Sequence, residues 1–210
     1  MILQPFSPLV YKTDISGEFH QFLLDAADDS RINPVNVGYS LAGNIDEQLE
    51  LKIDGQAFVK FVYPHVHDYM KECHEHKTKM SNLTDVDSPP LFHHIAFDLG
   101  SGPWINFQRS NEFNPIHNHS GQLSSVIFIE IPEVIREEAK NTVNTNMPCP
   151  GQLEFIHGED GFEYSGSFKV VPKTGELYLF PATLRHTVYP FTSDVERITM
   201  SFNVHNIQKG

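Results

Sequence analysis

Asn114-Pro115-Ile116-His117-Asn118-His119-Ser120 is the stretch on which the fold and chemistry of this chain turn. On a β-strand, side chains two apart project from the same face. In an extended strand over 114–119, His117 and His119 therefore point together and Asn118 points away. Two imidazoles on one face can share one metal ion, with a third ligand supplied by a neighbouring strand. The candidate third ligand is His186, within Phe180-Pro-Ala-Thr-Leu-Arg-His-Thr-Val-Tyr-Pro190, where it opens a strand after a proline-containing turn. A bare His-x-His pair is more often a surface or core feature than a metal site. Its neighbours in the sequence change that weighting.

Working outward, residues 195–204 alternate. Arg197, Thr199, Ser201 and Asn203 fall on one face, with Ile198, Met200, Phe202 and Val204 on the other. The apolar face reads as core. The polar face either meets water or lines a pocket, and a pocketed Arg needs an anionic partner. A planar guanidinium suits bidentate carboxylate binding. Residues 103–109 repeat the arrangement: Trp104, Asn106 and Gln108 share one face, and Ile105 and Phe107 the other. Asn106 and Gln108 could hydrogen-bond a ligand carboxylate or a substrate, or simply face solvent.

Short runs of Phe, Ile, Val, Tyr and Thr broken by Gly, Pro, Asn and Ser continue through the second half of the chain. They predict strands near 92–98, 103–109, 114–119, 123–131, 152–156, 166–171, 176–180, 185–190 and 195–204, with Gly175 turning the chain into the strand at 176–180. Many short strands with regular turns imply a sandwich or barrel. Residues 132–151 read as a long, Pro-flanked loop of the kind that shapes substrate access. Before the Asp87-Ser-Pro-Pro break the pattern differs. Residues 1–12 read as extended. Ser16 caps a predicted helix over 17–28, 33–43 is a loop, and a long helix fits 54–78, with Pro64 set to kink or split it. The organisation expected is a mainly helical part, 1–90, packed on a β core, 91–210. His65, His67, His74 and His76 read as a polar helix face, and His93 and His94 as structural residues.

The 210 residues are 40% hydrophobic and 20% charged, ordinary for a globular domain. Sixteen Phe suit a β-rich core. The net charge is −12, and no Lys/Arg cluster marks a nucleic-acid face. Cys73 and Cys149 form neither a Cys-x-x-Cys pair nor a disulfide framework. No signal peptide and no apolar run of membrane-spanning length is visible, so a soluble cytoplasmic protein is expected, without nucleic-acid or membrane partners and of open oligomeric state.

Six landmarks stand in order: Trp104-x-Asn106, His117-x-His119, Leu123-Ser-Ser-Val-Ile-Phe-Ile129, Pro172-Lys-Thr-Gly-Glu-Leu-Tyr-Leu-Phe-Pro181, His186, and Arg197-x-x-x-Ser201-x-Asn203. Over these residues, about 104–203, the chain resembles the Fe(II)/2-oxoglutarate-dependent dioxygenases, and among them the prolyl-hydroxylase-like oxygenases of bacteria and phages. The resemblance implies a mainly β protein with N-terminal helices around a double-stranded β-helix (jelly-roll, cupin-like) core. It implies Fe(II), 2-oxoglutarate and O2 as cofactors, with hydroxylation of a peptide or small-molecule substrate. His117 and His186 would be iron ligands, Arg197 would pair with the far carboxylate of 2-oxoglutarate, and Ser201 would support it. Asn106, Gln108 and Asn203 are further candidates for the cofactor pocket.

Two positions depart from the family pattern. His119 stands where most members carry Asp or Glu, and Phe128 stands where many carry a Tyr. Three readings stay open for the first: a neutral three-His iron site, a carboxylate such as Glu130 completing the set, or a site without activity. The alternatives for function are a cupin-like three-His dioxygenase that does not use 2-oxoglutarate, and an inactive metal- or ligand-binding relative.

Overall fold

The computed structural model describes residues 8–147 and 149–210. Of the extended stretch expected over 1–12, residues 1–7 lie outside them, and Tyr11 and Lys12 open the first strand, β1 (Tyr11–Asp14). Helix α1 (Gly17–Ile32) starts where expected, because Ser16 is extended and its hydroxyl accepts from the Phe19 N–H at 3.1 Å. A short strand β2 (Gln48–Glu50) precedes helix α2 (Gly55–Thr84), which Asp54 caps through the amides of Gln56 and Ala57. Pro64 does not split α2. It removes one donor from the ladder, but the buried face of Phe58, Val62, Val66 and Tyr69 runs on across it, and packing outweighs the missing bond.

The β region comprises β3 (Ile95–Asp98), β4 (Trp104–Gln108), β5 (Asn114–His117), β6 (Leu123–Glu130), β7 (Leu153–Ile156), β8 (Ser167–Val170), β9 (Glu176–Pro181), β10 (Arg185–Val188), β11 (Arg197–Ser201) and β12 (Asn203–Lys209). The strands form two antiparallel sheets. The major sheet runs β1-β9-β6-β11-β4-β2, with β12 pairing β6 and β3, and the minor sheet runs β5-β10-β7-β8. The run expected as one strand over 195–204 is two, parted at Phe202, whose backbone N–H and carbonyl are both bonded by the Ser125 hydroxyl. Gly175, at φ +86°, makes the expected turn into β9, and its N–H donates to the Phe128 carbonyl at 2.8 Å.

The segment 132–151 is not a plain loop. Helix α3 (Glu133–Asn141) occupies its first half and buries Ile135 and Ala139, four residues apart on one face. Glu138, on α3, accepts from the N–H and hydroxyl groups of both Thr192 and Ser193, which docks the helix on the β10–β11 connection.

Three layers result. α1 and α2 pack on one face of the major sheet through Phe19, Leu23, Phe58, Val62, Val66, Ile105, Met200 and Phe202. A second cluster, with Phe128, Leu153, Phe155, Tyr178, Phe180 and Leu184, fills the space between the two sheets. Among the described residues no helix is long and apolar enough to cross a membrane.

Candidate metal centre and buried arginine

The three histidines meet where the minor sheet opens toward the major one. β10 pairs β5 in a register that sets His186 opposite His117. β5 ends at His117, so strand alternation alone does not place His119. Instead its N–H donates to the Ala182 carbonyl at 2.9 Å, in the turn between β9 and β10. The same turn fixes His186, whose Nδ1–H donates to the Leu184 carbonyl at 2.9 Å. His117 Nδ1–H donates to the Pro115 carbonyl at 2.7 Å. Both rings therefore keep Nε2 unprotonated and free to ligate, with orientation set by the second bond. His119 Nε2 stands 3.2 Å from His186 Nε2, and one nitrogen from each of the three rings lies within 4.8 Å of the others.

Burial keeps these imidazoles neutral. It pushes His119 down to about 3 and His186 to about 4, with the neighbouring rings adding to the shift, and it lowers His117 as well. Neutral nitrogens converging on one point suit a first-row transition ion, whose cis ligands at about 2.1 Å stand about 3 Å apart. The donor set fits iron. Glu130 is exposed at the far end of β6 and is no part of the group, which among the described residues contains histidines only.

Arg197 lines the same cavity as the histidines, from β11. Only 2% of it is exposed, and burial lowers its pKa to about 10, so it is still charged at neutral pH. Nη1 donates to the Gly151 carbonyl at 2.7 Å and Nη2 to the Gln108 side-chain oxygen, while the buried Nε has no partner. No carboxylate pairs with it among the described residues. An uncompensated buried cation costs several kcal/mol. In that cavity it offers a counter-charge to an anion beside the metal-ligand cluster. Thr199 and Ser201 lie on the same strand and line the cavity beside it.

The other expected residues divide. Asn106 and Gln108 line the cavity, but their amides are engaged by the protein. Asn106 accepts from Gln48 Nε2 at 2.9 Å and donates to Thr199 Oγ1 at 3.4 Å, and Gln108 donates to the Glu112 carbonyl at 2.6 Å. They brace β4 and Arg197. Asn203, beyond the break at Phe202, leaves the arginine's cavity and lines an outer cleft on the other side of His117 and His119. Phe128 lines the inner cavity as an apolar wall. Sequence reasoning missed Gln48, Leu41, Ala42 and Ile45, which close the cavity from the N-terminal part, and Gly151, which holds the arginine. The first four carry no motif. Gly151 is legible only as a turn residue, and its φ is +64°.

Of the helical histidines, His74 is buried with neither ring nitrogen bonded, its ring edge-on to Phe92 at 5.5 Å, so it belongs to the packing between α2 and the Phe92 segment. The expected polar face is therefore partly core. His93 and His94 are exposed and take no part in the metal site.

Residues 102–203 match a family model described as "Putative 2OG-Fe(II) oxygenase". The match holds all three histidines and Arg197. Fold and site agree with an oxygenase of that kind, as the sequence resemblance implied. Among solved structures, a prolyl hydroxylase from Trichoplax adhaerens, in complex with a hypoxia inducible factor oxygen degradation domain peptide fragment, aligns over 93% of this chain and 83% of its own. Identity is 11% and the TM-score 0.54. HygX from Streptomyces hygroscopicus, with nickel, 2-oxoglutarate and hygromycin B bound, aligns over 93% and 82%, at 9% identity and a TM-score of 0.51. A Pseudomonas putida prolyl-4-hydroxylase aligns over 94% and 92%, at 13% identity and a TM-score of 0.47. At such identities the first two share the fold and nothing finer. No curated protein matches the sequence.

Proposed function

We propose that this protein is a hydroxylase of a peptidyl or small-molecule substrate, with iron held by His117, His119 and His186 and 2-oxoglutarate anchored by Arg197. The observation that carries the reading is the fully buried Arg197, without a carboxylate partner among the described residues, in one cavity with three converging neutral imidazoles. Iron bound there with 2-oxoglutarate would supply the oxidising power: one oxygen atom of O2 enters succinate as CO2 leaves, and the other turns a substrate C–H into C–OH. The protein's own part is positioning. Leu184 and Pro115 carbonyls orient two ligands, Gln108 and Gly151 hold the guanidinium, and Phe128, Phe180 and Leu153 keep the inner cavity dry. Ser201 and Thr199 offer hydroxyls beside the anchored carboxylate.

The third imidazole replaces a carboxylate of the usual pattern and leaves the metal centre one unit more positive. That favours retention of a dianionic co-substrate over dependence on substrate alone. Anaerobic titration of the Fe(II) protein with 2-oxoglutarate tests the reading through the visible absorption of the chelate, and admission of O2 tests it through succinate. Arg197→Ala should weaken the absorption while iron still binds, and His186→Ala should abolish iron binding. Iron binding without any 2-oxoglutarate absorption would favour a three-His dioxygenase that does not use the oxo acid.

A further inference from the structure

The three histidines separate two compartments of opposite character. Among the described residues, the inner one is lined by a single formally charged side chain, Arg197. The outer cleft is lined by Val35, Tyr39, Leu41, Trp104, Asn118, Asn203 and others, and among the described residues its single carboxylate, Lys or Arg is Glu50. Glu50 ends β2 at the sheet edge, opposite Trp104 in the register of β2 with β4. Trp104 in turn lies against His119, with ring centroids 5.7 Å apart. The acid therefore stands one residue pair from the candidate metal ligands. It makes no ion pair among the described residues.

Two more features share its preference. The Asn203 side-chain oxygen is buried at the cleft without a hydrogen-bond donor. A buried acceptor left bare is costly, and a turn of this side chain into the cleft would let a ligand N–H satisfy it. Tyr39 is 91% exposed at the rim, an aromatic face with nothing packed on it. Aromatic faces, a carboxylate and an unfilled acceptor together recognise a donor-rich cation. A cleft with no Lys or Arg offers nothing to a second anion. The chain's net charge of −12 adds long-range attraction for positive ligands.

Resting on the reading of the inner cavity given above, we infer that the outer cleft binds the substrate through an ammonium or guanidinium group, with Glu50 as its counter-ion and Tyr39 and Trp104 as its walls. The group has two natural sources, a basic side chain within a peptide and a free small amine.

The experiment uses the full chain with Fe(II) and 2-oxoglutarate under anaerobic conditions. The chelate absorption is recorded first, so loss of that signal refutes the inner-cavity reading and leaves the outer cleft to be read by calorimetry alone. Nα-acetyl-lysine methylamide, agmatine, a lysine-containing heptapeptide, neutral Nα-acetyl-norleucine methylamide and anionic Nα-acetyl-glutamate are then titrated by calorimetry. At least one cationic probe is expected to bind about tenfold or more tightly than the neutral and anionic ones. A preference for the heptapeptide over the lysine methylamide would assign a peptide, and the reverse a small amine. Glu50→Gln should weaken the cationic probe about tenfold. Glu159→Gln, which removes an exposed acid outside the cleft, should not. Equal binding of the neutral probe, tighter binding of the anionic one, no binding by any cationic probe, or equal losses in the two variants would overturn the inference.

Discussion

The two faces of the major sheet are made by the same strands and do opposite things. On β11, Ile198 and Met200 turn toward α1 and α2, while Arg197, Thr199 and Ser201 turn toward the cavity. The helix side is an aromatic and aliphatic interior in which Phe19 stacks on Phe61 at 4.7 Å and Phe58 meets Phe202 edge-on at 5.4 Å. The cavity side carries two hydrogen-bonded chains, Gln48–Asn106–Thr199 and Glu112–Gln108–Arg197–Gly151. The first face gains free energy from every residue it buries. The second keeps a cation that the free protein leaves partly unsatisfied, which a merely structural interior would not retain. Stability and the proposed ligand binding are thus divided between alternate residues of one strand, and substitutions on the two faces should separate them.

The largest effect should come from the helix face. Phe58, 0% exposed, leaves a cavity when cut to Ala, and about 3–5 kcal/mol of unfolding free energy should go with it. Denaturant titration reads this, and the protein that remains folded should bind Fe(II) and 2-oxoglutarate as before. A variant of unchanged stability would show that the helices are not part of the same core.

On the cavity face the pattern reverses. Arg197→Met should lower 2-oxoglutarate affinity about 10- to 100-fold, the worth of about 1.5–3 kcal/mol of charged hydrogen bonding. The ligand-free variant should melt at the same temperature as the parent or higher, since a buried cation without a counter-ion has been replaced by an apolar chain. A steep fall in melting temperature with 2-oxoglutarate binding intact would make Arg197 a structural residue.

The next effect is read with pH. Burial lowers His119 and His186 to about 3 and about 4, from an ordinary value near 6.5. Between pH 6.5 and about 4 the unfolded chain therefore takes up protons that the folded chain refuses. Stability of the metal-free protein should be fully present above pH 6.5 and decline as the pH falls through that window. The carboxylates held low by hydrogen bonds, such as Glu47 and Glu138, lose their contribution only below about pH 4.5. Melting temperatures that stay flat from pH 6.5 to 5 would contradict the burial of the imidazoles.

The smallest effect belongs to Ser201→Ala. One neutral hydroxyl beside the anchored carboxylate contributes about 0.5–1.5 kcal/mol, a loss of a few-fold in 2-oxoglutarate affinity with stability nearly unchanged. An effect as large as that of Arg197→Met would mean that the carboxylate lies along β11 and not against the guanidinium.

Much of this was legible before any coordinates. The alternation of 197–204 separated a core face from a polar face because the strand period is two and burial selects one side. Ser16 and Gly175 marked their turns through local chemistry, a hydroxyl cap and a positive φ. Helix α3 was missed because Asn, Thr and Pro dominate the segment around it. The spacing of Ile135 and Ala139, with Glu133 at the start and Lys140 at the end, was the available signal. The contacts of Arg197 were not legible at all. Gln108 and Gly151 lie 89 and 46 residues away, and no local pattern announces that a backbone carbonyl will face a guanidinium.

By itself the sequence determined the class of fold, the three histidines as a group, and the arginine as the candidate anion partner, because each follows from periodicity, residue chemistry and ordered landmarks. Tertiary structure alone decided how the group closes. His119 reaches the other two through a backbone bond to Ala182, outside the strand that carries His117. It also decided that Asn203 parts from Arg197 and joins an outer cleft, and that the N-terminal loop and strand, through Leu41, Ala42 and Gln48, wall the inner cavity. Both depend on which distant segments pack together, a choice made by the free energy of the whole core and not by any local run of residues.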